Sequence, residues 1–386
     1  WRQQLWTCSV LTILLIIFVT GLSTSAEAYE VWLTDQSDTA KESGGFIYIY
    51  DGAALAANPT TTKPATTIDV GGDINKFCEE ATKKAVRRPH MLLFTKDQTH
   101  VIISFLSGQV LIMDAATKKP EACLSMGKNV HAAWPTPTQK MAIAANIAEK
   151  KLIRIWTNYE SHTFNFDPAK DELNLTALES PDRPDTAPIC PVTDDSGKYA
   201  FVTLRGGGLL VVDVTTTPMA VTTTLTNAEI HPTGCGGIQV DRKMYINSGG
   251  GWPVAPLSYD VYSLQLSGLP TSLSTRLVST RDTKFADSHG MALVGRYLWS
   301  TDRAGNNIEI IDTGTDFSVN TINLAGPINN DPAPDLIDVS PDGATVFVAL
   351  RGPAPLTGND KNVNNAKGAI PGVGVISVTE GGRSGQ

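Results

Sequence analysis

The chain has 386 residues, a length that ordinarily suggests two or more domains, but no linker-like stretch divides it. It carries 31 basic and 39 acidic residues, a net charge of −8, and these charges are spread along the chain. This balance excludes the basic footprint of a nucleic-acid-binding protein, and the one basic cluster, at residues 83–90, is typical of a solvated loop.

The first predicted element is an uncharged apolar run at residues 5–22, preceded by Arg2. Two interpretations of it remain open. As a signal peptide, it has a basic start, an apolar centre and the cleavage-site pattern Ala-Glu-Ala at residues 26–28. As a retained helical anchor, it has about the minimum length that crosses a bilayer. Both interpretations predict that residues 1–28 direct export, so the remainder lies in the periplasm or outside the cell, membrane-anchored if the segment is retained and secreted otherwise.

The next element, YEVWL at residues 29–33, is an alternating strand with no hairpin partner nearby. From there the chain repeats one unit, in which a short apolar strand, a turn, a second strand, a polar hairpin and a third strand follow one another. Three copies end at equal spacing in VLIMD, LLVVD and IEIID, and more degenerate copies lie before, between and after them. The total is seven units at a period of roughly 40 to 50 residues, which is the range of propeller blades built from four strands.

The last unit contains the regular turn Ser340–Gly343 but lacks a clear fourth strand. We predict that residues 29–33 complete it and so close the ring, because an open array would leave an exposed sheet edge. Through the Ser-Pro-Asp-Gly turn and the strand endings, the chain resembles the seven-bladed YVTN-type propellers over roughly residues 29–380. The resemblance implies an all-β, seven-bladed β-propeller spanning residues 29–386 as one domain, with almost no helix beyond residues 5–22. It implies little about activity, since such propellers include binding modules, scaffolds and enzymes.

The cysteines fit an oxidising compartment. Cys8 lies in the apolar run, and the remaining four, Cys78, Cys123, Cys190 and Cys235, allow three pairings. We favour Cys78 with Cys123 and Cys190 with Cys235, because each pair lies near the starts of consecutive units.

Four ionisable residues fall at the heads of innermost strands when the units are aligned on their turns: His90, His131, His289 and Asp335. His231 lies slightly earlier, in the loop that leads to the fifth unit. His289 aligns one residue away from the others, and a one-residue slip in a strand reverses the face on which a side chain lies. Radial repetition would bring these groups to the central axis, where imidazoles suit copper, zinc, iron or nickel. Two interpretations follow. The histidines bind loop carbonyls and keep the channel entrance polar, which we favour, or they form a transition-metal site, for copper or zinc.

Catalytic signatures do not accompany these histidines, since the sequence has no H-E-x-x-H, C-x-x-C or C-x-x-C-H motif, and no catalytic residue or organic cofactor is predicted. His100 and His162 fall outside the pattern.

Two hypotheses for the function follow. The first is an interaction or scaffold subunit with protein partners, including subunits of a membrane assembly, with function carried by the Gly- and Pro-rich insertions at 248–260 and 352–372. The second is a metal-dependent oxidoreductase, or a lactonase-like hydrolase, with its site on the propeller axis.

Overall fold

The protein folds as a seven-bladed β-propeller. The computed structural model describes residues 28–36, 44–249, 259–281, 286–353 and 367–386. Within these residues, seven antiparallel sheets follow one another in chain order. The predicted helix at residues 5–22 and most of the two insertions lie outside them. In the part of the chain that is described, no helix is both long and apolar enough to span a bilayer.

Each sheet is one blade, and the strands are numbered in chain order. Blade 1 contains β1 (Glu30–Asp35), β2 (Phe46–Asp51) and β3 (Thr66–Asp69); blade 2 contains β4 (Pro89–Phe94), β5 (His100–Phe105), β6 (Gln109–Asp114) and β7 (Pro120–Ser125); blade 3 contains β8 (Val130–Pro135), β9 (Met141–Asn146), β10 (Lys151–Asn158), β11 (Thr163–Asn165) and β12 (Glu172–Asn174). Blade 4 contains β13 (Pro188–Thr193), β14 (Tyr199–Leu204), β15 (Leu209–Asp213) and β16 (Ala220–Leu225); blade 5 contains β17 (Gly237–Val240), β18 (Lys243–Gly249), β19 (Tyr259–Gln265) and β20 (Ser274–Arg281). Blade 6 contains β21 (Ser288–Val294), β22 (Tyr297–Asp302), β23 (Asn307–Asp312) and β24 (Phe317–Asn323); blade 7 contains β25 (Pro334–Val339), β26 (Thr345–Leu350), β27 (Gly372–Thr379) and β28 (Ser384–Gly385).

Helical segments are short and lie in the connections. They are α1 (Gly52–Ala57), a π-helical turn at Val70–Ile74, α2 (Asn75–Thr82), α3 (Pro168–Asp171) and 3₁₀ turns at Thr176–Leu178, Leu266–Gly268 and Glu380–Gly382. The small helix content that we predicted therefore holds for the described residues.

The core lies between the blades. The middle strands have both faces covered by neighbouring blades, so β5 (HVIISF) and β14 (YAFVTL) read as nearly continuous apolar runs and are almost wholly buried. The last strand of a blade faces solvent and is more polar, as in β16 (AVTTTL). Ile143 of blade 3, for example, belongs to one buried cluster with Val202 and Leu210 of blade 4. Burial of each such side chain contributes about 1.5–3 kcal/mol to folding.

Both predicted disulfides are confirmed. Cys78 on α2 is bonded to Cys123 on β7, which fastens the helix to the outer strand of blade 2. Cys190 on β13 is bonded to Cys235, just before β17, and joins blades 4 and 5 at their inner edges. Two disulfides are consistent with a periplasmic or extracellular location.

The prediction that the N-terminal strand completes the last blade is wrong. β1 pairs with β2 in register from Glu30 with Asp51 to Asp35 with Phe46, and blade 7 obtains its fourth strand, β28, from the C-terminal end of the chain. In blades 2 to 7 the innermost strand begins at one end of the channel, which we call the mouth. The end of β1, in contrast, lies at the mouth, because Thr34 and Gln36 contact His90. β1 thus runs in the direction of the second strands of the other blades.

Blades 7 and 1 meet through side-chain packing. The rings of Tyr29, just before β1, and Phe347 on β26 lie 6.2 Å apart between centroids. Strand pairing between the two blades is not among the pairings of the described residues. Within the described residues, this junction is thus covered by side-chain packing.

Candidate functional site

The predicted ring residues lie at a recurring irregularity of the innermost strands. His90, His131, His289 and Asp335 are each the second residue of β4, β8, β21 and β25, respectively. In each of these strands the pairing with the second strand shifts register around that residue, as in a β-bulge. A bulge redirects a side chain without breaking the sheet. In all four strands the bulge adds one residue relative to the second strand.

Hydrogen bonds between blades hold these bulges in place. The fifth residue of a preceding strand donates its side-chain proton to the carbonyl of the ring residue in the next blade. Ser104 Oγ donates to His131 O at 3.0 Å, Thr301 Oγ1 donates to Asp335 O at 2.7 Å, and Thr34 Oγ1 donates to His90 O at 3.2 Å. Each ring position is therefore fixed by the neighbouring blade as well as by its own strand.

His90 and His131 lie against each other, with ring centroids 4.4 Å apart. His131 Nδ1 lies 3.1 Å from Ile189 O, and since a carbonyl can only accept, Nδ1 carries the proton and the neutral ring has its lone pair on Nε2. Gln36 Nε2 donates to His90 Nδ1 at 2.6 Å, so the neutral ring of His90 carries its proton on Nε2. Burial and the neighbouring His131 lower the pKa of His90 well below its usual value. Burial and Arg351 lower the pKa of His131 to about 4, so both rings are neutral at pH 7.

His289 and Asp335 form the second part of the site. His289 Nε2 lies 3.0 Å from Asp335 Oδ1, and the carboxylate favours the tautomer that has its proton on Nε2. His289 Nδ1 is then the nitrogen with a lone pair, and it is buried without a hydrogen-bond partner. Burial and Arg303 lower the pKa of His289 well below its usual value. Burial alone would raise the pKa of Asp335, but Arg351 and His289 hold it far below its usual range.

Two arginines, the buried Arg303 and the largely covered Arg351, complete the site. Arg303 binds Asp287 in a bidentate pair, with Nε–Oδ2 and Nη2–Oδ1 distances of 2.9 Å each, and its Nη1 lies 3.7 Å from Asp335 Oδ1. Arg351 Nε donates to Asp335 Oδ2, while its Nη1 is buried without a hydrogen-bond partner. We call His90, His131, His289, Asp335, Arg303 and Arg351 the mouth cluster. It offers neutral imidazoles as metal ligands and one unused guanidinium donor for an anion.

Blades 4 and 5 contribute sulfur to the same region. Met91 Sδ lies 3.8 Å from Cys190 Sγ and 3.7 Å from Cys235 Sγ, and Cys190 Sγ lies 3.8 Å from His131 Nδ1. The donor atoms of His131, Cys190 and Cys235 lie within 4.8 Å of one another. Because the two cysteines are bonded to each other, however, they are not thiolates, and the disulfide is a structural link at this point.

The predicted metal ligands are brought to one region without forming a closed coordination sphere. Among the described residues, the groups of three donor atoms within 4.8 Å of one another do not include His90, His131 and His289 together. His231 lies elsewhere in blade 5, with Nδ1 2.8 Å from Asp260 Oδ2. The predicted metal ligands therefore lie in two separate places. The mouth cluster contains His90, His131, His289 and Asp335, and His231 forms a separate pair with Asp260.

The two arginines of the mouth cluster were not among the residues predicted from the sequence. Arg303 and Arg351 each follow directly after the second strand of a blade, and Arg205, which pairs with Asp185, has the same position in blade 4. The corresponding sequence signal is an arginine one residue past that strand, in TLRGG, TDRAG and ALRGP. A repeat alignment extended beyond the second strand would have found it.

Comparison with known proteins shows the fold alone. Neither a family model nor a curated protein matches the chain. Among solved structures, a protein from Lactobacillus plantarum is 12% identical, covering 93% of this chain and 94% of its own, with a TM-score of 0.59. The β-propeller domain of Cps50 (Swd1) from Myceliophteria thermophila is 13% identical, covering 80% of this chain and 88% of its own, with a TM-score of 0.53. A functionally unknown protein from Desulfotomaculum acetoxidans is 10% identical over 75% of this chain and 78% of its own, with a TM-score of 0.52. The seven-bladed propeller is thus supported by its neighbours, and the YVTN-type resemblance stays an expectation.

Proposed function

We propose that the protein is an extracytoplasmic propeller that binds a transition-metal ion at its mouth through His90, His131 and His289. The observation that carries this proposal is the state of His289, whose buried Nδ1 has no hydrogen-bond partner while Asp335 faces the other ring nitrogen. A carboxylate that holds the remote nitrogen of a metal-ligating histidine is a common feature of metal sites. Ion binding would draw the three rings together by side-chain rotation. Rotation of the Gln36 amide, whose Oε1 is buried without a hydrogen-bond partner, would let His90 donate from Nδ1 and coordinate through Nε2.

The chemistry of the donors narrows the ligand. Three imidazoles suit copper, zinc, iron or nickel, and copper and zinc are the ions we propose. The two guanidinium groups favour an anion beside the metal, because Arg351 Nη1 is buried and has no acceptor among the described residues. Three protein ligands would leave a coordination position for that anion, as in catalytic metal sites. A metal-dependent oxidoreductase, or a lactonase-like hydrolase, is the enzymatic form of this proposal.

Metal analysis of the purified protein tests it. After dialysis against Cu²⁺ or Zn²⁺ and removal of loose ions, His289→Ala and His131→Ala should each lose one bound ion relative to the wild type. His231→Ala is the matched control and should keep that ion, because this histidine pairs with Asp260 outside the mouth cluster. Wild-type and His289→Ala proteins with equal metal content would contradict the proposal.

A role as an interaction or scaffold subunit is the second candidate. It is favoured by two exposed apolar side chains, since Ile328 is 80% exposed and Ile370 is 50% exposed. Asn329 Nδ2 donates to Ile370 O at 2.9 Å, so the segments that carry these two isoleucines lie side by side. Ile370 lies near the end of the insertion at residues 352–372, and Ile328 lies in the connection between β24 and β25. Such a surface fits protein partners, including subunits of a membrane assembly. A native gel after mild detergent extraction should show a species larger than the monomer, and a monomer alone would count against this role.

A further inference from the structure

His100 and His162, which lie outside the ring pattern, meet at the seam between blades 2 and 3. His100 is the first residue of β5, and the pairing of Phe94 with Val101 places it at the end of the sheet opposite the mouth. Glu121 lies on β7, the outer strand of the same blade. His162 lies in the turn between β10 and β11 of blade 3. Two blades thus supply three metal-ligating side chains to one point.

The distances fit one ion. His100 Nε2 lies 3.2 Å from Glu121 Oε2, and His162 Nδ1 lies 2.9 Å from Glu121 Oε1. The ligand atoms of all three residues lie within 4.8 Å of one another. Since a zinc ion binds imidazole nitrogen and carboxylate oxygen at about 2.0–2.2 Å, a small side-chain movement brings all three into coordination.

The tautomer of His100 is fixed by a relay of hydrogen bonds. Thr99 Oγ1 donates to Asp97 Oδ1 at 2.9 Å, which uses the only proton of that hydroxyl. Although burial opposes it, the hydrogen bonds from Thr95 and Gln139 lower the pKa of Asp97 to about 2, so this carboxylate only accepts. His100 Nδ1, 2.8 Å from Thr99 Oγ1, must therefore donate to the hydroxyl oxygen. In the neutral ring, the lone pair on Nε2 then faces Glu121.

This arrangement requires a cation. His100 is 6% exposed, and both His100 Nε2 and Glu121 Oε2 are buried without a hydrogen-bond partner. A nitrogen lone pair 3.2 Å from a carboxylate oxygen is repulsive in a poorly solvated position, unless a positive charge lies between the two atoms. Either a second proton or a metal ion supplies that charge, and His162 adds a third ligand on the same carboxylate.

We infer that His100, Glu121 and His162 form a second metal site, for Zn²⁺ or a similar transition-metal ion. Two imidazoles and one carboxylate are the ligands of zinc sites that keep an open position. His162, whose side chain is 64% exposed, gives the ion a path from solvent. The buried His100 and Glu121, whose side chain is 12% exposed, form the fixed half of the site. The site is independent of the mouth cluster, because it lies at the other end of blade 2 and shares no residue with it.

Zn²⁺ binding to the full chain carrying His289→Ala, which removes the mouth site, tests this inference. Equilibrium dialysis with metal analysis should find one bound Zn²⁺. His162→Ala and Glu121→Gln should each weaken its binding by at least about tenfold, an effect that loss of even an outer-shell partner can reach. His162 is exposed, so its replacement is not expected to disturb folding. Co²⁺ in place of Zn²⁺ should give visible absorption bands that His162→Ala abolishes.

Glu160→Gln is the matched control, since it makes the same substitution at an exposed position in the same turn as His162. It should bind Zn²⁺ as the parent protein does. Equal affinity in the parent and in His162→Ala, or an equal loss in Glu160→Gln and Glu121→Gln, would overturn the inference and leave only a pair of ion pairs to Glu121.

Discussion

Arg154 is buried and the side chain of Arg351 is only 10% exposed. Each pairs with an aspartate, yet their surroundings differ. Arg154 of blade 3 uses all five of its N–H donors. Nε and Nη2 donate to Asp171 Oδ1, Nη1 donates to the carbonyls of residues 214 and 216, and Nη2 also reaches Thr217 Oγ1 at 3.0 Å. Arg351 donates from Nε to Asp335, while its Nη1 is buried without a partner.

The difference distinguishes a structural network from the binding site that we propose at the mouth. A buried polar group normally has its hydrogen bonds satisfied, so a fully bonded arginine that joins two blades needs no further explanation. A buried donor or acceptor without a hydrogen-bond partner has a cost in folding free energy, of about 1–3 kcal/mol for each group. At the mouth, Arg351 and His289 each retain one such atom while another atom of each side chain contacts Asp335, and a bound ligand would remove this cost.

Replacement of Arg154 should have the largest effect on stability. Arg154→Met leaves Asp171 buried with no counter-charge, and breaking a buried ion pair in this way costs about 3–5 kcal/mol. We expect that loss in the free energy of unfolding measured with denaturant, with metal content unchanged. The double variant Arg154→Met, Asp171→Asn should recover part of the loss, because the unpaired charge is gone. A single variant as stable as the wild type would show that this network is not structural.

Acid should destabilise the protein at the mouth, through His131. His131 has a pKa of about 4 in the folded protein against about 6.5 when unfolded, so below pH 6.5 the unfolded chain binds a proton that the folded protein does not. Stability is therefore full above pH 6.5 and is lost as the pH falls towards 4, by on the order of 3 kcal/mol for this residue. Denaturant unfolding at a series of pH values should show a shallower decline in His131→Gln. An identical decline in both proteins would mean that His131 is not held neutral.

Replacement of Arg351 should cost less than that of Arg154 and should change the histidines instead. Asp335 keeps Arg303 and His289 as neighbours, so we expect Arg351→Met to lower the free energy of unfolding by about 1–3 kcal/mol. Because Arg351 lowers the pKa of His90 and His131, its removal should raise both values. NMR titration of the histidine ring protons measures this shift. Unchanged pKa values would show that burial alone keeps these rings neutral.

The blades could be predicted from the sequence because strand, turn and strand repeat with one hydrophobic pattern. The position of β1 in the ring could not be predicted in this way. A single alternating strand such as YEVWL shows which residues share a face, but its partner depends on which edge it reaches in the folded ring. Thr34 carried the missing information, because it takes the fifth position of a strand as Ser104 and Thr301 do in β5 and β22. That equivalence becomes visible only when the hydrogen bonds to the next blade are known.

The ring residues were recognisable for the same reason, since the repeat aligned His90, His131 and Asp335. Their directions depended on β-bulges, which add a residue without a sequence signature of their own. The site of His100, Glu121 and His162 was not predictable. Its members come from different positions in two blades, and only the packing of the hairpin of blade 3 against the outer strand of blade 2 brings them together.

The smallest effect that we predict is at Thr34, and it tests the position of β1 as well as the mouth. Thr34→Val keeps the shape of the side chain but removes the hydroxyl that donates to His90 O at 3.2 Å. A partly buried hydrogen bond of this kind contributes about 0.5–1.5 kcal/mol, so the free energy of unfolding should fall by that amount. His90 would lose the contact that fixes its bulge from blade 1, and we expect metal affinity at the mouth to fall by no more than about tenfold. Thr67→Val, at an exposed position on β3 of the same blade, is the matched control and should change neither quantity. Because Thr34 can reach His90 only if β1 ends at the mouth beside β4, equal behaviour of Thr34→Val and Thr67→Val would mean that β1 does not act as a second strand, and that blade 1 holds its neighbour in another way.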